Sequence, residues 1–207
     1  MSLKVLGIST SPRLKGNSDL LLREALTGAE SAGTQVEYLR LCDLKIGPCV
    51  ECNCCYTTGR CRVEDDYQMV LEKMLDADRL IFATPIFFMT VCSQAKMLID
   101  RGQCLWAAKH VLKKPLFETG RRDRRAMVIA VGGSASTKQF DSIRLTMKAY
   151  FDVLDIKYVA NLFINKVDAH GAIMTHPTAL KEVFRLGKEL ASADTLLPEK
   201  PIDVLLT

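Results

Sequence analysis

Lys4-Val5-Leu6-Gly7-Ile8, then Ser9-Thr10-Ser11-Pro12-Arg13-Leu14-Lys15-Gly16-Asn17-Ser18, then Leu21, Leu22, Ala25, Leu26 and Ala29 at helical spacing: this opening decides the fold class. A short, unbroken apolar run suits a strand covered on both faces, the polar stretch reads as a loop, and the 3.6-residue spacing is that of an amphipathic helix, stopped by Gly33. Outward from this unit the alternation repeats. Gln35 to Leu41 has β-type composition, a helix fits Tyr67 to Asp76, and Arg79-Leu80-Ile81-Phe82-Ala83-Thr84 is a third apolar run. A helix from about Ser93 to Ala107 follows, then a strand from Ala126 to Val131 that ends in Gly132-Gly133-Ser134. A helix over Lys138 to Leu154, a strand over Lys157 to Ile164 and a helix over His176 to Ala193 complete the series, with Pro177 suited to a first helical position. Five strands alternating with five helices predict a doubly wound parallel sheet in three α/β/α layers. With no long linker or repeat, one domain is expected over 1–195, carrying a cysteine-rich loop at 46–66, followed by an extended tail over 196–207.

With 207 residues, 48% of them hydrophobic and 25% charged, the chain has enough apolar content for one sizeable core, which excludes disorder, collagen and coiled coil. No apolar run approaches the roughly 18 to 20 residues of a membrane helix, and the start MSLKVLGIST lacks the pattern of a signal peptide. A cytoplasmic, soluble protein with no membrane partner is expected. The net charge of +4 is too mild and too dispersed for a nucleic-acid surface. The interval 109–125 departs from this, with Lys109, Lys113, Lys114, Arg121, Arg122, Arg124 and Arg125 against Glu118 and Asp123.

In doubly wound sheets ligands sit outside the carboxyl ends of the strands, where strand order reverses. That places the loops after Ile8, Thr84 and Val131 around one crevice. The first offers Ser9, Thr10, Ser11, Arg13, Asn17 and Ser18 at a helix N-terminus, where unpaired N–H groups and the positive dipole end favour a phosphate monoester. The alternative is that Asn17 or Ser18 only caps the helix. No Gly-x-x-x-x-Gly-Lys-Ser/Thr or Gly-x-Gly-x-x-Gly occurs in that loop, so neither a triphosphate nor a dinucleotide cradle is indicated. The second loop, Thr84-Pro85-Ile86-Phe87-Phe88-Met89, puts two aromatics where a loop is usually polar. The third, Gly132-Gly133-Ser134, lets backbone approach closely. Together they suit a flat aromatic ring system, although taken singly Phe87 and Phe88 read as core residues.

The stretches GISTSPRLKGNSDLLL, ADRLIFATPIFFMTVCSQAKMLIDR and VIAVGGS resemble the flavodoxin-like family of NAD(P)H-dependent FMN reductases, a resemblance running over most of Lys4 to Leu190. It implies a five-stranded parallel sheet in the order 2-1-3-4-5 and bound FMN. Ser9, Ser11, Arg13, Asn17 and Ser18 would hold its phosphate, Thr84, Pro85, Ile86, Phe87, Phe88 and Met89 would flank the isoalloxazine, and Gly132, Gly133 and Ser134 would complete the pocket. It also implies a homodimer or homotetramer.

Eight cysteines in a chain without a secretion signal read as reduced thiols. Five fall within 49–61, and Cys49, Cys52, Cys55 and Cys61 spell C-x2-C-x2-C-x5-C, a compact four-thiolate set that suits a [4Fe-4S] cluster, with Gly59 to turn the chain back and Cys54 to spare. This spacing looks like the iron–sulfur flavoprotein branch of the same family. A structural zinc site and an empty cysteine loop are the rivals. Cys42, Cys92 and Cys104 read as small buried side chains, with a redox role for Cys92, beside the second loop, as the alternative.

His110, His170 and His176 form no recognisable catalytic constellation, so no catalytic side chain is assigned beyond those that position the flavin. The basic stretch reads first as a solvated insertion. Its functional readings are the extra phosphate of NADPH or the docking of an acidic carrier such as a ferredoxin, with Arg121 to Arg125 the candidates. The expected function is an FMN-dependent oxidoreductase passing electrons between a reduced carrier, small-molecule or ferredoxin-type, FMN and a [4Fe-4S] cluster. The alternatives are a cluster-free NAD(P)H-dependent FMN or quinone reductase, and a non-enzymatic flavin carrier or thiol redox sensor.

Overall fold

The computed structural model describes residues 2–117, 123–192 and 198–207. In chain order the elements are β1 (Lys4–Ser9), α1 (Asn17–Glu30), β2 (Gln35–Arg40), α2 (Cys55–Thr58), α3 (Tyr67–Asp76), β3 (Arg79–Phe87), β4 (Thr90–Val91), α4 (Ser93–Arg101) and α5 (Gln103–Trp106). They continue with β5 (Arg125–Val131), α6 (Gln139–Val153), β6 (Lys157–Ile164), α7 (Ala179–Ala191) and β7 (Ile202–Leu206). The sheet runs β2-β1-β3-β5-β6-β7 with every neighbour parallel, while the short β4 folds back antiparallel on β3. The five strands read from the sequence therefore stand in the expected 2-1-3-4-5 order, and the order reverses between β1 and β3.

Period-two alternation explains the layers, because successive side chains of a strand leave opposite faces. Leu80 and Phe82 of β3 and Val128 of β5 meet Tyr67, Val70 and Met74 of α3, Leu98 of α4 and Phe140, Ile143 and Met147 of α6. Ile81, Ala83, Met127 and Ile129 face the other way, onto Leu21, Leu22 and Ala25 of α1 and Val183 and Leu186 of α7. On that second face the helices approach closely through a glycine on each. A Cβ on Gly28 would stand 2.1 Å from the Phe184 carbonyl oxygen, and one on Gly187 would stand 2.0 Å from that of Ala25. The obstructing atoms are backbone and cannot swing aside. Gly187→Ala is therefore expected to lower stability by about 2 kcal/mol or more through overpacking, read as a lower urea midpoint at unchanged slope.

Seven strands stand where five were expected, and both additions have a physical reason. The expected extended tail contributes β7, which satisfies the open edge of β6 by parallel pairing from Ala160–Ile202 to Ile164–Leu206. Its Asp203 accepts hydrogen bonds from Asn161 Nδ2 at 2.7 Å and Arg144 Nε at 2.9 Å. β4 arises because β3 continues past Thr84 to Phe87 and then turns back. Pro177 is not the first helical residue: it precedes the N-cap Thr178, and His176 Nδ1 accepts the N–H groups of Thr178 and Ala179 at 3.3 and 3.2 Å.

The basic stretch is not a solvated run throughout. Arg124 is 2% exposed and donates to the carbonyls of Ala77 at 3.0 Å, Leu154 at 2.5 Å and Met74 at 2.5 Å, so it caps the carboxyl ends of α3 and α6. Arg125 is buried against Asp123, and Lys109 binds Asp152 and Asp155. Arg124 and Arg125 are committed to the fold and withdrawn from any docking surface, whereas Lys113 and Lys114 are exposed. Arg121 and Arg122 lie outside the described residues. Among the described residues, no helix is long and apolar enough to cross a membrane.

Candidate functional site

At the switch point between β1 and β3 the three loops converge on one crevice. Of the residues expected there, Ser11, Arg13, Asn17, Ser18, Pro85, Ile86, Phe87, Gly132 and Gly133 line it, together with Pro12, Gly16, Val131, Val167 and Asp168. Ser9 and Thr84 are buried beneath the loops, and Ser134, Phe88 and Met89 stand outside the lining. Thr84 Oγ1 is committed locally, donating to Pro85 O at 2.9 Å.

The first loop is a tied polar turn that runs into a helix start. Thr10 ties it to β3 twice, its N–H and its hydroxyl both donating to Ala83 O at 3.0 Å. Ser11 Oγ accepts the Arg13 N–H at 3.2 Å and donates to Arg13 O at 3.1 Å, which folds the chain into a tight polar turn. In α1 the first helical bond runs from Leu20 N–H to Gly16 O at 2.9 Å, so the N–H groups of Asn17, Ser18 and Asp19 lack helical acceptors. Ser18 Oγ is buried at the same end and has no hydrogen-bond partner among the described residues. An unpartnered buried hydroxyl beside free N–H groups fits a phosphate, since leaving such a group unsatisfied is costly.

Two of the expected side chains are used otherwise. Asn17 Nδ2 donates to Ala169 O at 2.9 Å and its Oδ1 accepts Ile173 N–H, so the carboxamide ties the loop after β6 to the helix. Arg13 Nη1 donates to Asp168 O at 3.1 Å, holding its charge at the crevice rim. Asp19, also in the first turn, is buried but directed at Tyr38 and Arg23. Burial alone would raise its pKa, yet hydrogen bonds from Tyr38 and Arg23 outweigh that and hold it below its ordinary value.

Phe88 and Met89 form the two-residue tip of the β3–β4 hairpin, both with left-handed backbone, φ 47° and 66°. Neither is glycine, so the turn holds strain. Phe88 is fully exposed, so the core reading of this aromatic pair gives way to a projecting apolar tip beside the crevice.

The cysteine motif forms a second site. Cys49, Cys52, Cys55 and Cys61 line one cavity of about 340 Å³, and the buried Cys104 joins them, its Sγ 3.4 Å from Tyr67 OH. Gly59 ends α2 in left-handed conformation, its N–H on Cys55 O at 2.8 Å, and returns the chain so that Cys61 reaches the cavity. Cys54 is outside the lining, its Sγ 3.6 Å from Arg62 Nη1. Burial, followed by the neighbouring Cys104, pushes the Cys55 thiol up. The thiols are spread around the wall: among the described residues no three cysteine, histidine or carboxylate side chains converge enough to hold a single ion. Four soft sulfur donors lining one cavity match an iron–sulfur cluster in donor type.

α4 runs from beneath the first loop to the cysteine cavity. At its start, the N-cap Cys92 is buried with Sγ 3.1 Å from Thr10 O. At its end, about 14 Å away at 1.5 Å per residue, Arg101 lies in the cysteine cavity. The three histidines have other contacts: His170 Nε2 lies 3.0 Å from Leu14 O, His176 caps α7, and His110 lies tilted against Trp106 at 5.4 Å. Sequence reasoning missed Gly16, Val167, Asp168, Arg101 and Cys104. The signal available for Val167 and Asp168 was that they follow a fourth strand whose carboxyl end opens on the same edge.

Comparison with known proteins bears on both sites. Residues 3–166 match the NADPH-dependent FMN reductase family. The chain is 44% identical over 103 residues to an iron–sulfur flavoprotein of Methanocaldococcus jannaschii, covering 50% of this chain and 53% of that one, so it spans about half of that relative's length. A second iron–sulfur flavoprotein of the same organism is 34% identical over 143 residues, which cover 69% of this chain and 68% of that one. The solved NAD(P)H:quinone oxidoreductase of Methanothermobacter marburgensis aligns with a TM-score of 0.65 over 93% of this chain and 98% of that one, at 18% identity, a likeness of fold.

Proposed function

The chain belongs to the NADPH-dependent FMN reductase family, in its iron–sulfur flavoprotein branch, and from that membership we propose that it is an FMN-dependent oxidoreductase whose cysteine loop holds a [4Fe-4S] cluster. The observation that carries the reading is the presence of two separate lined sites in one chain: a crevice with an orphaned Ser18 hydroxyl at the start of α1, and a cavity walled by Cys49, Cys52, Cys55 and Cys61.

In this reading the N–H groups that open α1, with Ser11 and Ser18, hold the FMN phosphate, and Arg13 supplies positive charge at the rim. Pro85, Ile86 and Phe87 exclude water from one face of the ring system, and the backbone of Gly132 and Gly133 meets its polar edge. The four thiolates supply the cluster ligands, and Cys54 stays outside. With both groups bound, two-electron and one-electron chemistry meet in one chain, because a flavin exchanges electrons in pairs or singly and a cluster one at a time. No side chain is asked to act as general acid or base. The donor is NAD(P)H or a ferredoxin-type carrier, and a homo-oligomer would cover the exposed Phe88.

The test is an absorbance spectrum with flavin, iron and sulfide quantitation under exclusion of air. One FMN and about four irons per chain, with a brown colour, are expected. A yellow, iron-free protein that oxidises NADPH rapidly would favour a cluster-free reductase, and an absence of turnover with any donor would favour a carrier or thiol sensor.

A further inference from the structure

Arg101 is among the largest fully buried side chains of the protein, 1% exposed, and it ends α4 inside the cysteine cavity. Its guanidinium is used on every side. Nε donates to Cys61 Sγ at 3.2 Å, Nη1 to Gly47 O at 3.1 Å and Asp65 Oδ2 at 2.7 Å, and Nη2 to Val63 O at 2.8 Å, while Cζ lies 4.5 Å over the Tyr67 ring. These partners bracket the cysteine run, Gly47 before it, Cys61 at its end and Val63 and Asp65 after it, so one planar group closes the loop at its base. Asp65 completes the closure by accepting the Gly47 N–H at 2.9 Å.

A buried ion pair is a poor way to gain stability, since well-packed apolar groups do as well or better. A clamp on carbonyls also has no need of a donor aimed at sulfur. The Nε–H on Cys61 is the contact that a purely structural role leaves unexplained, because outer hydrogen bonds to ligand sulfurs set both their orientation and the potential of the metal group they hold.

We propose that Arg101 is a positioning residue of the iron–sulfur site: it holds the two ends of the cysteine loop together for four-thiolate binding, and its Nε–H on Cys61 stabilises negative charge there, raising the cluster's reduction potential. This rests on the iron–sulfur reading above. A lysine at 101 keeps the charge but cannot span four partners in a fork, and a glutamine loses the charge and leaves Asp65 without its cation.

The full chain is reconstituted anaerobically with FMN, iron and sulfide, alongside Arg101→Lys and Arg101→Gln, and cluster midpoints are read by mediated redox titration with iron counted per chain. At fixed potential, the reduced-to-oxidised ratio of the cluster is expected to fall about tenfold in Arg101→Gln, a shift of about 59 mV downward for one electron, and about threefold in Arg101→Lys. FMN affinity, set in the other site, is expected to be unchanged in both. Variants that load iron and titrate at the parent potential would overturn the proposal while leaving the iron–sulfur reading intact. A parent chain that binds FMN but takes up no iron and sulfide would overturn both. If Arg101→Gln does not fold, Arg101→Lys carries the test, and a parental midpoint in that variant overturns the proposal.

Discussion

Cys55→Ser is expected to give a folded, flavin-binding chain that takes up less than about one iron where the parent takes up about four, while Cys54→Ser loads like the parent. The two residues are adjacent, of the same type and both partly buried, so composition and general thiol reactivity do not separate them. Geometry does. Cys55 opens α2 and faces the cavity, whereas Cys54 lies outside its lining beside Arg62. Reconstitution without air, with iron and sulfide counted per chain, reads the difference. Equal loading of both variants would mean that the cysteines in C-x2-C-x2-C-x5-C are not the ligands, and loss in both would point to the thiol pool of the loop instead of four chosen positions.

The second large effect belongs to the phosphate seat. A side chain on Gly16 would put its Cβ 2.8 Å from Ser11 Oγ and 3.1 Å from both Arg13 Cβ and Arg13 O, in the gap between the polar turn and the first turn of α1. Gly16→Val is therefore expected to weaken FMN about 100-fold, ~2.7 kcal/mol. Ser18→Ala removes the orphaned hydroxyl and is expected to weaken FMN about 20-fold, within the range for a hydrogen bond to a charged group. Riboflavin lacks the phosphate, so its affinity should change little in either variant. Flavin fluorescence titrations of both ligands check this, and parallel losses for FMN and riboflavin would show instead that the substitutions disturb the whole crevice.

How much of this was legible in the sequence follows from the range of each signal. The buried strands announce themselves because both of their faces are covered, so Leu80 to Ala83 and Ala126 to Val131 are apolar without interruption. The hydroxyls and helix start of the first loop were legible because they are contiguous, and the C-x2-C-x2-C-x5-C spacing because it is a local count. What could not be read joins distant segments. β7 exists through pairing with β6 some forty residues away, Gly28 and Gly187 matter only because two helices cross there, and Arg124 looks like part of a solvated charge run until the carboxyl ends of α3 and α6 meet around it. Arg101 sits in an ordinary helical stretch. Its chemistry comes from Gly47, Cys61, Val63 and Asp65, which the chain brings to it from the far side of the loop.

At the centre stands the claim that the first loop and the start of α1 clasp the phosphate of FMN. Titrating the flavin-free chain with FMN and with riboflavin, side by side, addresses it most directly. One FMN per chain is expected, with a dissociation constant at least about 100-fold below that of riboflavin. Failure to bind FMN, or equal affinity for the two flavins, would contradict it.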